Sequence, residues 1–237
     1  MGLGALLAAC GADDGGGTTT SVETTTGAEA TVQPKSGKNL AALFGDDSAC
    51  TLTAEDTEGP YYFDANSIRS DITEDRDGVP LRLALRVRGA GVCEPLENAV
   101  VDIWHADAGG VYSGFESQSA AAGGESPDGS EKFLRGAQVT DSDGIVQFKT
   151  IYPGWYQGRT VHLHAKVHLD NATVLTTQLY LDDEVSDAVF TRDPYASRGS
   201  RETTNGDDFI FDESLVVPLG EEGDGYLGAI SLDVKPA

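Results

Sequence analysis

Positive charge is scarce in this sequence. Sixteen Lys and Arg stand against 39 Asp and Glu in 237 residues, a formal charge of −23. A field of that sign repels phosphate backbones and anionic lipid surfaces at long range, so nucleic acid is excluded as a partner. The acidic residues are scattered rather than set in calcium-loop spacing, and they read as a solvated surface. No apolar run approaches membrane-spanning length, so any membrane association is expected to use an anchor. Sustained helical periodicity and internal repeats are also missing.

Cysteine is scarce too, with only Cys10, Cys50 and Cys93. Cys10 follows Leu7, Ala8 and Ala9 after a short apolar run, which resembles a bacterial lipobox whose cysteine is lipidated. Residues 1–9 hold no Lys or Arg and are shorter than a full signal peptide, so a truncated signal is expected. Residues 11–38 are mostly Gly, Thr, Ser, Ala and acidic residues with almost no large apolar side chains, a composition that buries too little surface to fold. The expected organisation is a lipoprotein-like signal remnant and disordered tether over 1–38 and one folded domain over 39–237. That implies an extracytoplasmic protein, secreted or lipid-anchored at the bacterial cell surface. Cys50 and Cys93 then form an even pair in an oxidising compartment, either bridged or left as two buried thiols.

Short strands dominate what remains. Leu81, Leu83, Leu85 and Val87 alternate with Arg82, Ala84, Arg86 and Arg88 until Gly89 breaks the run. Residues 98–105 read as a second strand. Residues 138–140 and 145–151 flank Asp141, Ser142, Asp143 and Gly144, a turn sequence that predicts a hairpin. Further strands are expected at 174–181, 215–219 and 226–234, with a little helix near 183–190. The fold class is all-β: a two-sheet β-sandwich of about seven to nine strands, with the long loop of 113–132 passing over one end.

From Thr160 to Leu169 apolar and polar residues alternate with period two, the pattern of a half-buried strand. One face carries His162, His164, Lys166 and His168. At about 3.3 Å rise per residue the first two α-carbons lie roughly 7 Å apart, so their imidazoles can lean onto one ion. His168 is too far along to share it. A His-x-His pair alone is as readily two surface histidines.

Two segments decide between these readings. One runs Trp104, His105, Ala106, Asp107, Ala108, Gly109, Gly110, Val111, Tyr112; the other runs from Thr140-Asp141-Ser142-Asp143-Gly144 through Pro153-Gly154-Trp155-Tyr156 to Arg159, His162 and His164. Together, in this order, they resemble the intradiol ring-cleavage dioxygenases, the family of catechol 1,2-dioxygenase and protocatechuate 3,4-dioxygenase. The resemblance covers roughly residues 50–182 and implies an enzyme that cleaves a small aromatic diol with O2. It implies a non-haem Fe(III) held by Tyr112, Tyr156, His162 and His164, with Tyr156 and His162 facing each other across the metal and Tyr156 leaving when substrate arrives. The chemistry agrees: a phenol becomes a good ligand when a strongly charged cation lowers its pKa, whereas zinc prefers His, Cys or carboxylate.

The same resemblance assigns catalytic roles to Arg159, as a fixed positive charge beside the ring, and to Gln178, near the metal. Glu58, Gly59, Pro60, Tyr61 and Tyr62 match the segment that covers the substrate pocket, where Tyr61 or Tyr62 would stack on substrate; an ordinary turn is the alternative. Trp104 reads as core packing and His105 as a structural or rim residue. The helical N-terminal region of cytoplasmic catechol dioxygenases is replaced here by the tether, and a homo-oligomer is compatible with the family. Acidity favours a neutral catechol or a larger lignin-derived diol over carboxylated ones. The competing reading is a cell-surface β-sandwich module that binds a glycan or polyphenol without turnover.

Overall fold

The structure, a computed structural model, describes residues 50–115, 131–170 and 172–235, together with Phe44 and two short strands before it. Those two, β1 (Ser21–Glu23) and β2 (Glu29–Thr31), form a small antiparallel ribbon. The remaining strands are β3 (Pro80–Gly89), β4 (Val100–Trp104), β5 (Arg135–Val139), β6 (Ile145–Ile151), β7 (His162–Leu169), β8 (Ala172–Tyr180), β9 (Leu219–Glu222) and β10 (Gly225–Val234). They make two four-stranded sheets, ordered β6-β3-β10-β9 and β5-β4-β7-β8, the expected sandwich.

Alternation decides what faces inward. Leu81, Leu83, Leu85 and Val87 of β3 meet Val101 and Ile103 of β4, Leu163, Ala165 and Val167 of β7, and Leu232 and Val234 of β10 in one buried core. On the other face of β3, parallel pairing with β10 sets Arg88 beside Asp233, and their side chains pair at 2.7 and 2.9 Å. Cys50 and Cys93 form a disulfide that ties the start of the domain to the turn after β3. The helix α1 (Asp183–Val189) follows β8, capped by Asp182, whose carboxylate accepts from Glu184 N and Val185 N.

Three expectations change. Residues 141–144 do form a tight turn, with Gly144 at φ 72° and the Asp141 carboxylate accepting from Asp143 N and Ile145 N. The strands it joins belong to different sheets, however, so the turn carries the chain across the sandwich and is no hairpin. Residues 215–219 are mostly not strand: a 3₁₀ turn at Glu213–Leu215 precedes β9, which starts only at Leu219. Finally, β7 is buried on both faces over most of its length, because residues 54–62 lie over its histidine face. Asp56 N donates to Thr176 O at 2.9 Å, Gln178 Nε2 to Thr57 O at 3.0 Å, and Lys166 pairs with Glu58.

Candidate metal centre

The site gathers where the end of β4, the β6–β7 connection and the start of β7 meet. β7 supplies His162 and His164 from one face, as the alternation requires. Tyr112 comes from the loop after β4 and Tyr156 from the turn before β7. These loops touch backbone to backbone: Gly154 N donates to Asp107 O at 3.0 Å, and a Cβ on Gly154 would stand 2.4 Å from Ala108 O. Only glycine permits that approach, which gives Pro153-Gly154-Trp155-Tyr156 its physical reason.

Four donor atoms converge. Tyr156 Oη lies 3.0 Å and Tyr112 Oη 3.4 Å from His162 Nε2, and His164 Nε2 lies 3.2 Å from Tyr112 Oη. A small ion with bonds of about 2.1 Å sets neighbouring donors roughly 3.0 to 3.4 Å apart, so the quartet fits one such ion. His162 Nδ1 is 2.7 Å from Thr160 O, which fixes its proton there and leaves the Nε2 lone pair toward the other donors. His164 Nδ1 is buried without a hydrogen-bond partner among the described residues, and Trp104 stacks on that ring at 4.8 Å and 7°.

The quartet as it stands is uncharged. Burial, reinforced by Arg159, pushes His162 down to about 3, and burial with its His162 neighbour holds His164 well below its ordinary value. Burial raises Tyr112 well above 10 and pushes Tyr156 up to about 12, against a smaller downward pull from Arg159. A highly charged cation is what would draw off the phenolic protons. No group of three or more His, Cys, Asp or Glu suited to a metal occurs among the described residues, so the donor set depends on tyrosine.

Among the four Tyr–His pairings, Tyr156 with His164 is the one that makes no hydrogen-bond-distance contact; the other three lie at 3.0, 3.4 and 3.2 Å.

The surrounding residues divide clearly. Arg159 Nη2 donates to Gln178 Oε1 at 2.6 Å, and Gln178 sits opposite His164 in the β7–β8 register. Tyr61 stacks on Tyr112 at 4.7 Å and 19° and meets Tyr156 edge-on at 6.3 Å, so it borders the donors. Tyr62 lies one layer out, against Trp104 at 4.8 Å and under Lys166 Nζ at 3.6 Å. His105 is structural, with Nδ1 donating to Ala106 O and Nε2 accepting from Thr150 Oγ1. His168 lies away from the quartet, 3.1 Å from Thr173 Oγ1. Sequence reasoning missed Asp208, whose Oδ2 accepts from Arg159 Nε at 2.8 Å. An isolated acid among 39 carries no signal that would single it out.

Fold and donors define a β-sandwich protein with a two-tyrosine, two-histidine centre. A family model described as "Dioxygenase" matches residues 57–205. The chain is 30% identical over 155 residues to catechol 1,2-dioxygenase 1 of Acinetobacter lwoffii, covering 56% of this chain and 47% of that one. It therefore spans about half the length of that curated relative. An intradiol ring-cleavage dioxygenase from Tetranychus urticae superposes with a TM-score of 0.74 at 33% identity, covering 79% of this chain and 96% of that one. The dioxygenase domain of a dioxygenase carbohydrate-binding protein fusion from Streptomyces sp. SirexAA-E gives a TM-score of 0.59 at 32% identity over 78% and 99%. The chain belongs to the intradiol ring-cleavage dioxygenase family.

Proposed function

We propose that this protein is an intradiol dioxygenase that uses non-haem Fe(III) and O2 to cleave a catechol-type aromatic diol between its hydroxyl-bearing carbons, giving a cis,cis-muconate-type product. The convergence of Tyr112, Tyr156, His162 and His164 within 3.0 to 3.4 Å carries this reading. Two phenols beside two neutral imidazoles suit a hard ferric ion better than zinc. Held by Tyr112, Tyr156, His162 and His164, such an ion would supply the electron-withdrawing power that opens a ring carbon of the diol to O2.

The chain's own residues do the rest. Tyr156 is half-buried whereas Tyr112 is buried, so Tyr156 is the side chain with room to move and, as the phenolate it would be beside a bound cation, to accept a proton from the incoming diol. Arg159 holds a positive charge beside Tyr156, where it stabilises negative charge developing on the ring. Gln178, which accepts from Arg159 and donates to Thr57 O, is locked in orientation and can hydrogen-bond oxygenated species. The Tyr61 ring narrows the approach to a planar aromatic molecule.

The Cys50–Cys93 disulfide supports an extracytoplasmic setting, secreted or lipid-anchored, with 1–38 as signal remnant and tether and 39–237 as the catalytic domain. Cys10, the proposed anchor, lies outside the described residues. Iron analysis, a visible spectrum and oxygen uptake with a panel of catechols test the function. Reddish protein consuming one O2 per diol is expected; colourless protein that stays inert after ferric reconstitution would refute it. The Tyr112→Phe variant should lose both colour and turnover, and full retention of both would remove Tyr112 from the ligand set.

A further inference from the structure

Asp208 follows the 3₁₀ turn at Asn205–Asp207, and its side chain is 0% exposed. The next residue, Phe209, is 88% exposed, so the segment turns its acid inward and its aromatic ring outward. A buried carboxylate costs several kcal/mol unless its oxygens are satisfied. Here they are: Oδ2 accepts from Arg159 Nε at 2.8 Å and Thr160 N at 2.9 Å, and Oδ1 accepts from Ile210 N at 3.1 Å.

Two effects follow. With Nε on Asp208 and Nη2 on Gln178, the Arg159 guanidinium is held at two edges and its plane is fixed. The paired carboxylate also offsets the guanidinium's attraction for any second anion, most strongly because the pair is shielded from water. Arg135, another buried cation near the donors, is turned to Ser113, with its guanidinium 4.2 Å from the Phe63 ring and behind Tyr112.

We propose that Asp208 is a positioning and specificity-determining residue, locking Arg159 in place and offsetting its attraction for a second full negative charge, so that the site selects uncharged diols and rejects those bearing a carboxylate. This rests on the dioxygenase reading above.

Steady-state kinetics of the iron-loaded protein on catechol and 3,4-dihydroxybenzoate test it. Wild type should favour catechol in kcat/KM by about 100-fold or more. Asp208→Asn should narrow that preference at least about tenfold and lower kcat on catechol about tenfold, with KM within about threefold; Asp208→Glu should restore the wild-type pattern. A second measurement needs no iron. Benzoate, titrated into metal-free protein and followed by intrinsic fluorescence, should bind Asp208→Asn at least about tenfold more tightly than wild type. Unchanged preference or unchanged benzoate affinity in Asp208→Asn overturns the proposal. So does a wild type with no preference between the two diols, a result independent of how the variant folds. Iron-loaded wild type that cleaves no diol would instead overturn the dioxygenase reading, and the benzoate titration would still judge Asp208.

Discussion

Replacing Gly59 by alanine should weaken metal binding without touching a donor atom. Gly59 sits at φ +71°, and a Cβ there would stand 3.2 Å from His164 Cε1. Carbon atoms prefer separations of about 3.5 to 4.0 Å, so the imidazole or the covering segment must give by a few tenths of an ångström. The left-handed backbone itself costs alanine about 1 kcal/mol. Gly91 supplies the control: its φ is +79° and nothing lies within 4 Å of a Cβ built on it. Both variants should lower the unfolding midpoint of the metal-free protein by about 2 to 4 °C. Only Gly59→Ala should displace His164, and a ferric affinity about tenfold weaker than that of Gly91→Ala is expected, equivalent to about 1.4 kcal/mol of misplacement. Thermal unfolding followed by ferric titration in the visible band measures both. Equal iron affinity in the two variants would refute the idea that the segment positions His164.

Other perturbations follow from burial and connectivity. Burial pushes His105 from 6.5 down to about 4, so between those values the unfolded chain takes up a proton that the folded one refuses. Its contribution is therefore full above about pH 6.5 and is lost as pH falls toward 4, by up to about 1.4 kcal/mol per pH unit. Urea midpoints of the metal-free protein should fall less steeply over that window in His105→Gln than in wild type, and parallel slopes would count against it. The Cys50–Cys93 bridge spans a sequence separation of 43, for which chain entropy gives about 4 kcal/mol. The double Cys→Ser variant should lose about 2 to 4 kcal/mol in urea unfolding, and a loss below about 1 kcal/mol would contradict that.

Much of the fold was legible because alternation and turn chemistry are local. The run from Leu81 to Val87 and the strand at 226–234 were both readable, and both are strands. What no local pattern reports is sheet membership. Asp141 and Gly144 specify a turn equally well within one sheet or between two, and here it crosses between them. Likewise the alternation in 160–169 reads as half-buried, yet residues 54–62 cover the polar face from more than a hundred positions away. The ligand candidates were legible because their spacing is short or their motif order distinctive. Asp208 was not, since it acts on Arg159 across 49 residues with no pattern linking them.

The place of β10 bears on how the domain comes into being. It is inserted between β3 and β9, parallel to the former, so the first sheet has a gap at its centre until residue 234 has been made. Pairing with β3 joins residues roughly 145 positions apart, the kind of long-range contact that forms late and slowly. A chain emerging from the ribosome therefore has no completed sandwich to lock it until its last interior strand is made. Truncation before β10 would remove an interior strand rather than trim an edge, and should yield no folded sandwich at all.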